Sequence, residues 1–207
     1  MHRVSVTTEK QEVIRLEAKS VIVASGASPL ILPGLEPDGK HILTYQEALR
    51  PDTLPQSILI VGSGAIGIEF ASFYQTFGVE VTVVELQGQI LPHEDEEIST
   101  LAQKSFEKQG ILFHTQTTVT GLRVKILEDG NAKVTAELKG PGGPLKTMEV
   151  DQVLVAAWIV ANVEGIGLEN TQIKLEKGHI VVDGVCQTQE PGIYAIGDVA
   201  GPPLVSP

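Results

Sequence analysis

The sequence predicts an α/β fold, in which a doubly wound parallel sheet carries an inserted three-stranded antiparallel meander. Three observations predict it. Buried strand patterns alternate with helix patterns between residues 58 and 113, and a glycine-rich turn joins the first of these strands to the first helix. The hydrophobic period then changes to two.

The segment before this sheet is predicted to hold a hairpin, a short strand and a long loop. Apolar residues at positions 4, 6, 13, 14 and 16 flank the polar residues 7–11, which is typical of a hairpin. Residues 21–24 form a continuous apolar run, the pattern of a strand buried on both faces. Prolines and glycines then mark a loop, and Pro51 and Pro55 bracket a linker.

The first strand and helix of the sheet are predicted from residue 58 onward. Residues 58–61 read as a buried strand, and Gly78 is a natural helix end. Residues 81–84 form the next buried strand, which ends at Glu85. The apolar face of the intervening helix is predicted to consist of Ile66, Phe70, Phe73 and Phe77.

A second helix is predicted over residues 95–109, followed by a third strand at 111–113. The acidic residues beside His93 suggest a metal cluster, but capping and solvation of a helix start explain them better. We therefore predict no metal site. The apolar face of this helix is predicted to be Ile98, Leu101, Ala102 and Phe106, and Gly110 ends it.

The antiparallel meander is predicted after residue 121, where apolar and polar residues alternate. Residues 122–127 and 132–138 alternate around a turn at Asp129, Gly130 and Asn131. Met148 and Val150 belong to the third strand. The apolar residues 153–157 then return to the buried sheet.

Composition excludes several classes of partner. The formal charge is −11, from 15 Lys and Arg against 26 Asp and Glu, so nucleic acid and anionic membranes are not expected to bind. The longest apolar run, 153–161, is about half of what a bilayer crossing needs. The N-terminus lacks the pattern of a signal peptide, so we expect a cytoplasmic protein, or a mitochondrial-matrix protein if the source is eukaryotic. With Cys186 as the single cysteine, chemistry that needs two thiols on this chain is excluded.

The turn that follows the first strand of the sheet contains the motif that predicts ligand binding. Gly62, Gly64 and Gly67 form a G-x-G-x-x-G motif between a strand and a helix. The first glycine permits a tight turn, the second lets the backbone approach a pyrophosphate, and the third allows close helix–strand packing. Amides at the helix start then meet the phosphate charge. The alternative to a nucleotide site is a purely structural glycine turn, which packs a helix on a sheet and binds no ligand.

Glu85 follows the third glycine by the spacing expected of a ribose-binding acid. A carboxylate there accepts hydrogen bonds from ribose hydroxyls and repels a 2′-phosphate. Residues 86–89 include no lysine or arginine that would hold such a phosphate. The sequence therefore predicts a Rossmann-type site that prefers NAD to NADP.

Eight segments resemble the flavin-dependent pyridine nucleotide–disulfide oxidoreductases, and within them the dihydrolipoamide dehydrogenase family. They span nearly the whole chain and read VIVASGASP, LPGLEPDG, ILIVGSGAIGIEFASFY, VTVVE, ILPHEDEEI, FEKQGI, NVEGIGLEN and PGIYAIGDVAGPP. The resemblance implies an NAD-binding domain over residues 52–162, flanked by partial FAD-domain segments over 1–51 and 163–207.

The resemblance also implies which residues meet the cofactors. Glu69 would lie near the nicotinamide, Glu85 on the ribose, and Val119 beside the adenine. The residues implied in NAD binding are Gly62, Ser63, Gly64, Ala65, Ile66, Gly67, Ile68, Glu69, Glu85, Val119 and Trp158. Those implied in FAD binding in the full-length parent are Ser25, Gly26, Ala27 and Asp198.

The family's redox cysteines and its acid–base pair have no counterpart in this sequence. The resemblance therefore implies no catalytic residue here, and the fragment alone is predicted to be inactive and not to retain FAD. In the parent enzyme, the partners implied are NAD(H), lipoyl carrier proteins of 2-oxo acid dehydrogenase complexes, and a homodimer partner. The alternatives are a non-catalytic dinucleotide-binding module, or the NAD domain of another NADH-dependent flavoprotein reductase.

Trp158 departs from the family pattern, which usually has glycine directly after this strand. An indole here could obstruct NAD, or it could turn aside. Both possibilities stay open at the level of sequence. The short apolar runs 21–24 and 193–196 lie side by side in the family, so they are expected to pair here.

Overall fold

A five-stranded parallel sheet organises the larger of two units in the computed structural model, which describes residues 1–128 and 130–201. The larger unit comprises residues 29–158, and the smaller unit combines residues 1–28 with the described residues from 159 onward. No helix within the described residues is both long and apolar enough to span a bilayer.

The strands, in chain order, are β1 (His2–Thr7), β2 (Val13–Ala18), β3 (Val21–Val23), β4 (Ala27–Pro29), β5 (Ile42–Leu43), β6 (Ser57–Val61), β7 (Glu80–Val84), β8 (Leu112–His114), β9 (Thr118–Ile126), β10 (Ala132–Lys139), β11 (Lys146–Val150), β12 (Gln152–Val155), β13 (Ile159–Ala161), β14 (Leu175–Glu176), β15 (His179–Ile180) and β16 (Ile193–Ala195). The α-helices are α1 (Tyr45–Ala48), α2 (Ala65–Thr76) and α3 (Glu96–Lys108). Two short 3₁₀ turns cover Leu168–Asn170 and Gly197–Ala200.

The predicted doubly wound sheet is confirmed. Its strand order is β5-β12-β6-β7-β8, and each neighbouring pair is parallel. The chain moves outward from β6 through β7 to β8, then returns to the other side of β6 with β12. Strand order thus reverses at β6, where doubly wound sheets bind their ligands. Strands β6 and β12 are rich in buried apolar residues, as sheets covered on both faces require.

The inserted meander is also confirmed. Strands β9, β10 and β11 form an antiparallel sheet in the order β11-β10-β9, placed in sequence between β8 and β12. Of the turn predicted between the first two of these strands, Asp129 lies outside the described residues, whereas Gly130 has a positive φ of 84°. Val134 and Ala136 of β10 are fully buried, so this sheet keeps one covered face.

The predicted apolar face of α2 is only partly correct, because Phe70 packs against the core but two other members of that face do not. Phe73 and Phe77 are 40% and 60% exposed, whereas Ala71 and Tyr74 are fully buried. The helix is oriented by Gly67, which contacts the turn below it and directs positions 67, 71 and 74 toward the sheet. These positions are spaced by four and three residues, so they share one face. The predicted helix end is confirmed, because Gly78 follows the C-cap with a φ of +82°.

Helix α3 begins and ends where the sequence predicts, and Phe106 of its predicted apolar face packs against the core, but two other members of that face do not. Asp95 is its N-cap and accepts from the amides of Glu97 and Ile98, which confirms the capping interpretation of the acidic run. Ile98 and Leu101 are exposed, whereas Ser99 is buried. The Ser99 hydroxyl donates to the carbonyl oxygen of Leu91 at 3.2 Å. This bond turns the polar residue inward and leaves the two apolar ones outside.

The smaller unit contains the predicted hairpin, in which β1 and β2 pair antiparallel from His2 opposite Ala18 to Thr7 opposite Val13. Strands β3 and β16 pair in parallel, which confirms the expected pairing of the two apolar runs. The prediction that residues 21–24 are buried on both faces is wrong, because Ile22 is 62% exposed. The described residues supply only one neighbour for β3, so its faces are incompletely covered.

The boundaries between the two units differ from those expected from sequence, at 51/52 and 162/163. Residues 29–51 join the larger unit because β5 pairs with β12, with Ile42 opposite Val153, and because Leu35 packs into the same core. From Ile159 onward the chain belongs to the smaller unit. The assignment of these segments to NAD and FAD domains stays a prediction.

We predict that Gly67→Ala destabilises the chain by about 2 kcal/mol or more, because overpacking against backbone is costly. A Cβ at this position would lie 2.0 Å from the carbonyl oxygen of Gly62. The matched control is Gly64→Ala, since a Cβ there meets no heavy atom within 4 Å. This control should lose about 1 kcal/mol or less, from weaker capping of α2. Urea unfolding midpoints measure both changes, and equal losses would contradict the packing role of Gly67.

Candidate functional site

The glycine turn is held between α2 and β12 by close backbone contacts. Gly62 has a φ of +104°, and a Cβ there would lie 2.6 Å from the carbonyl oxygen of Ala156. Gly67 packs even more closely on Gly62 itself, where a Cβ would lie 2.0 Å from the carbonyl oxygen. Both positions therefore need glycine for the fold alone, as the motif predicts for a tight turn and for close helix–strand packing.

Gly64 differs from the other two glycines of the motif. Its φ is −67°, which any residue adopts, and the space where a Cβ would stand is open to 4 Å. Neither conformation nor packing therefore requires glycine here. The open space lies at the start of α2, where a ligand can approach the backbone closely. The residues present thus fit a pyrophosphate group better than they fit a purely structural turn.

The N-terminus of α2 offers amide donors to such a group. Gly64 is the N-cap residue and has no side chain with which to cap the first turn. By contrast, Asp95 caps α3 through its carboxylate. The amides of Ala65, Ile66 and Gly67 precede the first amide with an intrahelical acceptor, that of Ile68, which donates to the carbonyl of Gly64. The positive end of the helix dipole adds to their attraction for an anion.

Glu85 is buried at 8% exposure and bonds directly to the turn. Its Oε2 accepts from the amide of Ser63 at 2.9 Å and from the Ser63 hydroxyl at 2.7 Å. Its Oε1 accepts from the amide of Gln87 at 2.8 Å. Sequence reasoning missed this bond to fully buried Ser63, because spacing alone does not show which hydroxyl faces the acid. A carboxylate has about four acceptor sites, so capacity for a ribose hydroxyl remains.

The remaining residues predicted at the NAD site occupy different environments. Ile66 is half-buried, Ile68 is buried, and Ala65 and Glu69 are exposed on α2. Val119 is 7% exposed and belongs to the same core cluster as Val84, the residue before Glu85. The site thus gathers at the carboxyl ends of β6 and β7, and the predicted contact of Val119 with an adenine stays a prediction.

The loop over residues 86–95 folds across the glycine turn. The amide of Leu91 donates to the carbonyl oxygen of Ser63 at 2.9 Å. Leu91 adopts a φ of +46°, an uncommon conformation for a residue with a side chain, so the loop holds a defined path. The ring of His93 then meets the indole of Trp158 edge to face, with centroids 5.6 Å apart. Trp158 therefore points toward this loop while remaining 49% exposed.

The residues predicted at the FAD contact lie at the carboxyl ends of β3 and β16. Ser25 and Gly26 follow β3, Ala27 begins β4, and Asp198 lies in the 3₁₀ turn after β16. Sequence reasoning missed Asn162, which organises this turn. Its side-chain amide donates to the Ser25 carbonyl at 2.8 Å, and its backbone amide donates to the Gly26 carbonyl at 2.9 Å.

Across residues 1–128 and 130–201, no three His, Cys, Asp or Glu side chains gather as ligands for a metal ion. His93, the residue that raised this question in the sequence, contacts Trp158 instead. Cys186 is a free, exposed thiol.

Comparison with known proteins identifies the family. The family described as pyridine nucleotide-disulphide oxidoreductase matches residues 2–207. The chain belongs to this family. The predicted resemblance is thereby confirmed. That the glycine turn and Glu85 contact the pyridine nucleotide stays a prediction.

Two relatives that the chain resembles are dihydrolipoyl dehydrogenases. That of Rhizobium etli is 48% identical over 189 residues, covering 91% of this chain and 38% of the relative. That of Zymomonas mobilis is 48% identical over 200 residues, covering 97% of this chain and 42% of the relative. The crystal structure of LpdA from Mycobacterium tuberculosis superposes with a TM-score of 0.83 at 36% identity, covering 99% of this chain and 43% of that chain. The chain thus spans about two fifths of the length of these relatives.

We predict that Glu85→Ala destabilises the chain by about 2–3 kcal/mol, because it leaves the amide of buried Ser63 without its acceptor and removes the bond to exposed Gln87. Ser63→Ala should lose only about 1 kcal/mol, since Glu85 still accepts from the backbone amide. Urea unfolding of the two variants measures both losses. A Glu85→Ala variant as stable as the native chain would show that the carboxylate does not hold the turn.

Proposed function

We propose that the chain is the NAD-binding domain of a dihydrolipoamide dehydrogenase, with flanking parts of its FAD domain. The parent enzyme oxidises protein-bound dihydrolipoamide to the disulfide and reduces NAD⁺ to NADH, with release of one proton. FAD, when bound, supplies the two-electron relay between the thiols and the nicotinamide. The share of these 207 residues is to bind and orient the nucleotide.

The observation that carries the proposal is the contrast among the three glycines. Packing requires Gly62 and Gly67, yet only open space surrounds the Cβ position of Gly64. That open space lies beside uncapped amides of α2 and in the same turn as Ser63, which Glu85 holds from the end of β7. A purely structural turn would not require glycine at position 64. A dinucleotide pyrophosphate needs it.

Each residue then has a defined task. The amides of residues 65–67 bind the pyrophosphate, and Glu85 accepts hydrogen bonds from the adenosine ribose. Ser63 positions that carboxylate through its hydroxyl. Glu69, exposed on α2, helps place the nicotinamide against the flavin, and Val119 flanks the adenine.

The smaller unit supplies part of the FAD contact in this proposal. Ser25, Gly26, Ala27 and Asp198 meet the flavin nucleotide in the full-length enzyme. The 207 residues include one cysteine and therefore supply no thiol pair. The chain alone is expected to be inactive toward dihydrolipoamide. In the parent enzyme the partners are a second subunit and the lipoyl carrier proteins of 2-oxo acid dehydrogenase complexes.

We predict that the chain binds NADH at least about tenfold more tightly than NADPH, because the buried Glu85 carboxylate repels a 2′-phosphate. Isothermal titration calorimetry of both nucleotides measures the ratio. Leu86→Arg places a cation beside the ribose on a residue that is 68% exposed, and should raise NADPH affinity. Leu86→Gln is its matched control. Equal affinities in the native chain would remove the selective role of Glu85.

A second prediction tests the pyrophosphate site itself. Gly64→Ala should weaken NADH binding about tenfold or more, because the added methyl group holds the phosphates away from the backbone. Its stability should stay close to that of the native chain, since the methyl group meets no protein atom within 4 Å. Unchanged affinity would favour a dinucleotide-like fold without the ligand.

A further inference from the structure

The topology assigns the two halves of a dinucleotide to opposite sides of β6. Glu85 directly follows β7 and marks the adenosine side. Strand β12 lies on the other side of β6, and Trp158 follows it by three residues. The second half of a dinucleotide, the nicotinamide nucleotide, would therefore extend toward Trp158.

The backbone before Trp158 lies against the glycine turn. The carbonyl oxygen of Ala156 and the Cα of Ala157 stand 2.6 Å and 3.0 Å from the Cβ position of Gly62. The Trp158 carbonyl also accepts from the amide of Leu30 at 2.9 Å, which holds the backbone of this residue. The backbone position from which the Trp158 side chain extends is therefore fixed beside the glycine turn.

The loop over residues 86–95 brings His93 to that indole from the adenosine side. It leaves the end of β7 at Glu85 and is tied to the turn by the bond from the Leu91 amide to the Ser63 carbonyl. To reach Trp158 it must cross the carboxyl end of β6. The two rings meet at 75° with their centroids 5.6 Å apart. The ring pair therefore involves the residue that follows β12, on one side of β6, whereas Glu85 follows β7 on the other side.

We propose that Trp158, held by His93, determines which ligands this crevice accepts. It admits adenosine diphosphate groups at the amides of α2 and disfavours the nicotinamide half of a complete dinucleotide. This inference rests on the proposed function, because it uses the same pyrophosphate site. In the native chain, the nicotinamide nucleotide must separate the two rings before it contacts the end of β12.

The test compares NADH with ADP-ribose, which lacks the nicotinamide ring. By titration calorimetry, the native chain should bind ADP-ribose at least as tightly as NADH. Trp158→Gly should tighten NADH binding about tenfold and leave ADP-ribose binding within about twofold. His93→Ala should tighten NADH binding by a smaller factor, because the indole is then free to move. Trp158→Phe keeps an aromatic ring against His93 and is the matched control that should behave as the native chain.

Emission from Trp158 provides a second readout, because it is the only tryptophan in the chain. ADP-ribose should leave that emission nearly unchanged, whereas NAD⁺, which unlike NADH does not absorb the emitted light, should change it as its nicotinamide displaces the indole. If Trp158→Gly leaves the ratio of NADH to ADP-ribose affinity unchanged, or lowers it, the inference is overturned while the proposed function stands. If neither ligand binds any variant, both fail.

Discussion

The close contact between Gly62, Gly67 and the backbone after β12 is the constraint on which the rest of the structure depends. It leaves no room for a side chain at either glycine, so α2 can leave the sheet in only one direction. That direction places the first amides of the helix at the point where strand order reverses. The chemistry proposed for the crevice is thus a consequence of backbone packing.

A buried carboxylate fixes the turn from the other side. Glu85 accepts three hydrogen bonds, two of them from Ser63, so the turn and the end of β7 form one rigid piece. The same group is proposed to select the ribose. A residue that is satisfied by the protein before any ligand arrives needs no rearrangement on binding, which favours affinity. The structural role of Glu85 and its proposed selective role therefore belong to a single side chain.

The sequence predicts the strand order and the glycine turn because both rest on local patterns. The apolar runs of β6, β7 and β12, the meander and the N-cap Asp95 were all predictable in this way. The buried faces of α2 and α3 were predicted only in part. Their orientation depends on Gly67 meeting Gly62 and on the bond from Ser99 to Leu91, which are contacts between distant positions. The pairing of His93 with Trp158 escaped sequence reasoning for the same reason.

The insertion of the meander between β8 and β12 has a consequence for how the chain reaches its native state. Strand β12 must find β6 across a wide interval, and the bond from the Ser57 amide to Asp151 joins residues 94 apart. Loop closure over such a distance is slow unless intervening segments fold first. A meander that forms locally shortens the effective loop. The nucleotide crevice would then be among the last parts of the protein to assemble.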